Sequence, residues 1–526
     1  MKCFMAMAAI AALLTAAPAV QAKDCSAPVA TGEGPVAGRA VEGMAACSWK
    51  GIPYAAPPVG ERRWRAPQPP PARAGTLAAF EFGPACLQKE SFTSGGKSPT
   101  GLSEDCLTLN IWAPKKSGVF PVMYWIHGGG LTVGSSNYEM YNGARLAAER
   151  DVVLVSVNYR LNIFGFFAHP GLASEDPHGA TGNYGIQDQI RGLEWVRDNI
   201  AEFGGDPANV TIFGESAGGM SVCNLLASPP AAGLFHRAVI QSGACDLIAE
   251  LPDTYAQAEA SAQTAGCAGP DPIKCLRELP AEKLLELRSG FGQSHVDGYV
   301  IPKVPLEAIK EGAFNRVPLM VGNTRDEANL FLIPMGVLTM PSFILRQMLE
   351  RIFGEERAAE VLELYPGEEF GRMSKRVLAL SSEAFCSRGF QAAEEVSGQE
   401  PTYYYSFDWD DYTGGRVMGA LHGLEIPFVF GNIRLREDSL KLVFNSNRIE
   451  QKAKPLSEAM MSYWTNFAKT GDPNGPGLAK WPRYSVHDKK RIHFNTLITV
   501  ETLAGDQLER YQYWADQKIS TRDLSL

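Results

Sequence analysis

Six short apolar runs rich in β-branched residues recur along this chain, and helix-like stretches separate several of them. That alternation restricts the fold more than any other feature of the sequence. The runs are Leu107–Trp112, Val119–Ile126 (with Pro121 near its start), Val152–Val157, Val210–Phe213, Ala238–Ile240 and Leu319–Val321. Tyr184–Ile200 and Gly219–Leu226 read as helices between them. A strand that is apolar throughout is covered on both faces, and strands alternating with helices pair in parallel. The expected class is α/β, a mostly parallel central sheet flanked by helices. Val29–Tyr54, broken by Gly and Pro, reads as a meander of short strands, followed by a Pro-rich loop through Pro57-Pro58 and Pro67–Pro71. Asp253–Leu287 and Pro341–Val396 are helix-rich, interrupt the strand rhythm, and are expected as helical insertions over the sheet's functional edge. No internal repeat or long linker divides the chain, so residues 23–526 are read as one domain.

The N-terminus sets the compartment. Lys2 precedes an apolar stretch from Phe4 to about Val20, then Gln21-Ala22 and charged Lys23-Asp24. A basic start, a short apolar core and small residues before a polar switch read as a signal peptide, residues 1–22, cleaved near Ala22. The expected location is secreted or periplasmic. The Ala-rich run is marginal for a bilayer span, no later segment is long and apolar enough, and no stable membrane span is expected.

Export permits disulfides. The ten cysteines fall to nine once Cys3 leaves, so at least one stays outside internal pairing. Cys86 and Cys106 bracket a polar loop, Cys267 and Cys275 bracket Ala-Gly-Pro-Asp-Pro, and Cys25 and Cys47 flank the meander. Spacing alone pairs none of them, and Cys223, Cys245 and Cys386 equally suit small buried thiols. The net charge of -9 argues against nucleic acid as a partner. The densest basic run, Lys489-Lys490-Arg491, reads as a solvated turn. No His/Cys/Asp cluster has ligand spacing, so neither metal nor cofactor is expected.

Gly214-Glu215-Ser216-Ala217-Gly218 follows the buried-strand pattern Val210–Phe213 and precedes a plausible helix start at Gly219-Met220-Ser221-Val222. A serine on a tight strand-to-helix turn needs small neighbours, because the strained backbone leaves no room for side chains. The helix that follows aims its first N–H groups at developing negative charge. His127-Gly128-Gly129-Gly130 stands directly after the apolar strand ending in Trp125-Ile126. Glycines there let backbone N–H groups approach a tetrahedral intermediate without interference from Cβ. Either motif alone also suits an ordinary Gly-rich turn. Together they point to a nucleophilic Ser216.

On these motifs the chain resembles the type B carboxylesterase/lipase family, which includes the cholinesterases. The resemblance also rests on Gly51-Ile52-Pro53-Tyr54-Ala55, Ser103-Glu104-Asp105-Cys106-Leu107, Asn158-Tyr159-Arg160, Glu202-Phe203-Gly204-Gly205-Asp206-Pro207 and Trp464-Thr465-Asn466-Phe467-Ala468. It implies the α/β-hydrolase fold, oxyanion donors at the N–H groups of Gly129, Gly130 and Ala217, and the disulfides Cys86–Cys106 and Cys267–Cys275. It likewise implies buried ion pairs Arg63–Glu104 and Arg160–Asp188, a buried electrostatic role for Glu215, and Ser242 as a partner of the acid.

Chain order then requires an acid after Ser216 and a histidine after the acid. His236 and His295 come too early, and His487 and His493 lie in polar C-terminal sequence. His422, in the small-residue segment Met418–Pro427, fits both the order and the family's histidine segment. Asp326 and Glu327 both leave the strand Leu319–Val321, and the residues alone make either eligible. The resemblance assigns Glu327 and leaves Asp326 to cap or brace the loop. The expected activity is two-step acyl transfer to water from a small-molecule carboxylic ester. A lipase acting on longer-chain lipid and a non-catalytic binding module of the same fold are the alternatives. The module is disfavoured because every triad and oxyanion position is filled.

Overall fold

The computed structural model describes residues 23–89, 100–287, 292–436, 440, 443–444 and 446–517; residues 1–22, expected as a signal peptide, lie outside them. At the centre is an eleven-stranded sheet. Its strands in chain order are β1 Arg39–Ala40, β2 Ala46–Pro53, β3 Thr108–Pro114, β4 Phe120–Ile126, β5 Val153–Val157 and β6 Gly205–Glu215. β7 Arg237–Gln241, β8 Leu319–Thr324, β9 Thr402–Phe407, β10 Lys490–Phe494 and β11 Thr499–Thr502 complete it. Across the sheet the order is β11-β10-β9-β8-β7-β6-β4-β5-β3-β2-β1. Neighbours from β5 through β10 pair in parallel, whereas β1–β2, β2–β3, β3–β5 and β10–β11 are antiparallel. The six apolar runs are strands β3 to β8.

Side chains alternate across a strand, so each buried strand feeds two cores. Val122, Tyr124 and Ile126 of β4 face one, with Ile212, Ile240 and Val321 of the neighbouring strands. Against that side pack helices α1, Tyr184–Asn199, and α2, Ala217–Ala227. Met123, Trp125, Phe213, Val239 and Met320 face the other, covered by Met460, Trp464 and Phe467 of helix α3, Asn447–Thr470. Two regions expected as insertions are helical. The first holds Leu251–Thr264, Pro272–Glu278 and Ala281–Glu286. The second holds Ser342–Phe353, Glu355–Leu364, Gly367–Phe370 and Met373–Ser397.

The chain leaves β4, adds β5 on one side, and returns to place β6 on the other. At such a reversal the connections diverge, and a crevice opens at the C-terminal ends of the strands. Ser216 follows β6, the glycine loop follows β4, and Gly214 pairs directly with Ile126. Glu327 comes just after β8, and His422 in the connection after β9.

One expectation is corrected at the C-terminus. Lys489-Lys490-Arg491 is no solvated turn: Lys490 opens β10, and Arg491 is buried. Its guanidinium donates to His493 Nε2 at 3.0 Å and to Gln507 Oε1 at 2.7 Å, partners that make the buried charge tolerable.

Among the described residues four disulfides are formed: Cys25–Cys47, Cys86–Cys106, Cys223–Cys245 and Cys267–Cys275. Cys386 is a buried thiol whose Sγ lies 3.4 Å from the carbonyl of Thr324. Arg63 pairs with Glu104 at 2.5 Å and Arg160 with Asp188 at 2.7 Å, both largely buried. Arg63 also donates to the carbonyls of Arg277 and Leu279 at 2.9 Å, so it ties the Cys86–Cys106 loop to the first helical insertion.

Candidate active site

Strand β6 ends at Glu215 and α2 starts at Ala217, so Ser216 is the entire connection. Its φ is 59° and ψ -123°, a conformation non-glycine residues avoid and hold only when their surroundings impose it. Here the Ser216 N–H donates to the carbonyl of Gln241 at 2.9 Å, and its own carbonyl accepts from Met220 of α2. The turn also packs onto β4: a Cβ at Gly218 would lie 2.1 Å from the Ile126 carbonyl oxygen. Only glycine fits there. Ala217 is the first residue of α2, where backbone N–H groups have no intrahelical acceptor.

The loop after β4 lies over this turn. A Cβ at Gly128 would come within 3.0 Å of Ser216 Cβ. Gly129 and Gly130 hold φ of 109° and 61°. The Gly129 carbonyl accepts from Thr132 and Val133 N–H groups at 3.1 and 3.0 Å, which fixes the turn of the loop. Gln88 clamps Gly134 from both sides, accepting from its N–H and donating to its carbonyl at 2.8 Å. His127 stacks on Tyr159 at 4.5 Å, and burial lowers its pKa to about 4, which keeps it neutral.

Glu327 is buried. Its Oε1 accepts from Asn323 Nδ2 at 3.1 Å and from the Thr324 N–H at 3.0 Å, and its Oε2 pairs with His422 Nδ1. Burial pushes the carboxyl up, but the His422 charge and hydrogen bond, with those of Ser242 and Asn323, hold it below the usual range. The Ser242 hydroxyl is buried and falls outside strict hydrogen-bond geometry. Asp326 is committed elsewhere. Its Oδ2 accepts from the Ala420 N–H at 2.8 Å while its own N–H donates to the Ala420 carbonyl at 3.0 Å. Asp326 therefore pins the histidine loop to the acid loop.

His422 is buried between the rings of Phe331 and Phe385, with centroids at 5.2 and 5.7 Å. Its Nε2 lies 3.2 Å from Glu215 Oε1. Burial alone would lower the imidazole's pKa, but the charges of Glu215 and Glu327 overcome it and raise it to about 10. Burial also raises Glu215, to about 7, against the pull of His422.

Behind Glu215 stands Glu425, which the sequence reading left without a role. It is fully buried, and burial together with the Glu215 charge raises it to about 8. Gln241 Nε2 donates to it at 3.1 Å, and Gln241 Oε1 accepts from Trp464 Nε1 at 3.0 Å. Gln241 thus supports Ser216 through its backbone and Glu425 through its side chain. The available signal was a carboxylate three residues past His422 in an otherwise apolar segment.

Gly128–Gly130, Ser216 and His422 line one cleft of about 280 Å³, walled by Tyr138, Met140, Leu330, Phe331 and Ile426. Among the described residues no group of three or more His, Cys, Asp and Glu could hold a metal ion. The cleft offers a hydroxyl, an imidazole oriented by a buried carboxylate, and backbone donors on two sides.

The carboxylesterase family model matches residues 26–514. The chain belongs to the carboxylesterase family. It is 37% identical over 469 residues to the para-nitrobenzyl esterase of Bacillus subtilis (strain 168), covering 86% of this chain and 92% of that one. It is 36% identical over 449 residues to the fumonisin B1 esterase of Sphingopyxis macrogoltabida, covering 82% and 81%. A solved carboxylesterase of Geobacillus stearothermophilus superimposes with a TM-score of 0.80 at 35% identity, covering 93% of this chain and 100% of its own. This enzyme is therefore a carboxylic ester hydrolase with the α/β-hydrolase fold.

Proposed function

We propose that this esterase cleaves small-molecule carboxylic esters by two-step acyl transfer, with Ser216 as nucleophile, His422 as general base and Glu327 as the acid that orients it. The observation that carries the reading is the convergence of Ser216, held at φ 59°, and the Glu327-paired His422 on one apolar cleft. His422 takes the Ser216 proton as Oγ bonds to the ester carbonyl carbon, then returns it to the departing alcohol. Water, deprotonated by the same imidazole, releases the acid. The N–H groups of Gly129, Gly130 and Ala217 stabilise the oxyanion, each worth about 3 kcal/mol in the transition state. Residues 23–526 act as one catalytic domain, exported after cleavage near Ala22. Four disulfides support export, and among the described residues no helix is long and apolar enough to cross a membrane. The test is covalent. An organophosphate is expected to inactivate the enzyme with one label per chain, located on Ser216 by peptide mass mapping; a label elsewhere, or none, overturns the assignment.

Glu215 and Glu425 set the proton inventory of the site. A base must be neutral before it accepts a proton, and the charges of Glu215 and Glu327 oppose this by raising the pKa of His422. Glu215→Gln removes a charge that raises the imidazole's pKa. The neutral imidazole then persists to lower pH. The acid limb of the kcat/KM profile is expected to move towards lower pH, while kcat falls about tenfold because the imidazolium of the transition state loses a partner. An acid limb that stays put or moves upward contradicts this role for Glu215.

A further inference from the structure

Cys223 and Cys245 suit small buried thiols when read from the sequence, yet they are bonded to each other beside the nucleophile. Both are buried, Cys223 within α2 and Cys245 at the end of a short strap, Gln241–Cys245, that leaves β7. Three contacts lay the strap along α2. The Gln241 carbonyl accepts the Ser216 N–H at 2.9 Å. Gly243 meets Gly219 so closely that a Cβ on Gly219 would lie 2.9 Å from Gly243 Cα. Cys245 is then joined covalently to Cys223. Ser216, Gly219 and Cys223 are spaced i, i+3 and i+7, which puts all three contacts on one face of the helix. Within the strap Ser242 holds φ 48° and donates its N–H to the Gly322 carbonyl of β8, the strand that leads to Glu327, at 2.8 Å. Just past the bridge, Asp246 pairs at 2.7 Å with the buried Arg388 of helix Met373–Ser397, whose Phe385 stands against His422.

We propose that the Cys223–Cys245 bridge positions Ser216 for acyl transfer by clamping this strap to α2. A residue in a sparsely populated backbone conformation stays there only when its surroundings over-determine it. Ser216 and Ser242 both hold such conformations, and the Gln241 carbonyl joins their segments. Beyond Gln241 the strap has left the sheet and its ladder. The glycine pair brings the two backbones close but offers no side chains to interlock, so it limits approach without preventing sliding. The covalent bond prevents sliding. A shift of about 1 Å at the nucleophile is enough to cost on the order of a hundredfold in rate. The same bond ties full activity to an oxidising compartment. The inference rests on Ser216 being the nucleophile, as proposed above.

Two paired variants open the bridge: Cys223→Ala/Cys245→Ala, and Cys223→Ala/Cys245→Val, which refills part of the volume the sulfurs leave. At a temperature where circular dichroism shows them folded, both are expected to lose at least about tenfold in kcat for p-nitrophenyl butyrate. Organophosphate labelling of Ser216 is expected to slow by the same factor while still reaching one label per chain. Cys25→Ala/Cys47→Ala, remote from the site, is expected to lower the unfolding midpoint and keep the parent's kcat and labelling rate. Bridge-free variants that keep both rates overturn the proposal, as does labelling at the parent's rate with reduced stoichiometry, because the bridge then serves stability alone. The parent supplies a second route that does not depend on the variants folding. Dithiothreitol is titrated just below the unfolding midpoint; its two thiols close to a cyclic disulfide as a protein bridge gains two electrons and two protons. Loss of kcat is expected to track the fraction of Cys223–Cys245 opened, counted by alkylation and peptide mass, and to reverse on reoxidation. Loss that tracks another bridge overturns the proposal. The position of the label in the parent tests the nucleophile, and its rate in the opened forms tests the bridge, so the two failures give different results.

Discussion

Replacing Ser216 with Ala will lower kcat for p-nitrophenyl butyrate by about a million-fold, leaving only what transition-state binding supplies without a nucleophile. The loss is confined to one oxygen. The backbone at Ser216 is fixed by its N–H on Gln241 and by α2 behind it, and neither bond involves the hydroxyl. Alanine carries the same penalty at φ 59° as serine, so the turn keeps its geometry and its cost. Stability is expected to change by under about 1 kcal/mol. The residual rate should not be that of free water, because the proposed oxyanion donors are untouched by the substitution and a bound water can attack with His422 as base. The measurement is pre-steady-state and steady-state hydrolysis beside circular dichroism and thermal unfolding. The parent should show a burst of p-nitrophenol equal to the enzyme concentration, and the variant none. A variant within about tenfold of the parent, with an unchanged unfolding midpoint, would mean that the acyl group passes through another residue.

The sequence made some of this architecture legible and hid other parts for identifiable reasons. Strands β3 to β8 announce themselves because aliphatic side chains cover both faces, and the turn at Ser216 because a strand pattern ends in Gly-x-Ser-x-Gly and a helix pattern begins. Strand β9, Thr402–Phe407, is as buried as they are, but its Tyr-rich content hides in a segment without aliphatic periodicity. Strand β10 begins in a basic run, and charge on a residue says nothing of its partners. Arg491 is buried because Gln507 on the C-terminal helix and His493 lie within hydrogen-bond reach. Glu425 was overlooked for the same reason. A carboxylate between Leu424 and Ile426 reads as a surface residue until Gln241, from a strand 184 positions earlier, is seen to hold it.

The choice between Asp326 and Glu327 is the point at which composition and pattern left two answers, and their different hydrogen bonds give the two variants different expected effects. Glu327→Gln will cut kcat by about ten-thousand-fold, whereas Asp326→Asn will cost less than about tenfold in kcat. The argument is a count of donors. Glu327 Oε1 already accepts from Asn323 Nδ2 and from the Thr324 N–H, leaving Oε2 for His422 Nδ1. A glutamine in the same place has one acceptor oxygen and one amide nitrogen. Its oxygen must meet Asn323 and Thr324, since an amide N–H turned towards two fixed donors leaves all three unsatisfied. The amide nitrogen then faces His422 Nδ1 and forces that atom to accept. The imidazole proton moves to Nε2, and the nitrogen that should take the Ser216 proton already carries one. Asp326 has a different task, holding Ala420 and so the histidine loop. Asparagine can still accept from the Ala420 N–H through its carbonyl oxygen, although the pair with Arg325 is lost. A stability loss of about 1 kcal/mol and a small fall in kcat are the expected result. Both variants should be compared with the parent by kcat, by organophosphate labelling rate at Ser216 and by unfolding midpoint. If Asp326→Asn abolishes labelling while Glu327→Gln leaves it within tenfold, the orienting acid is Asp326.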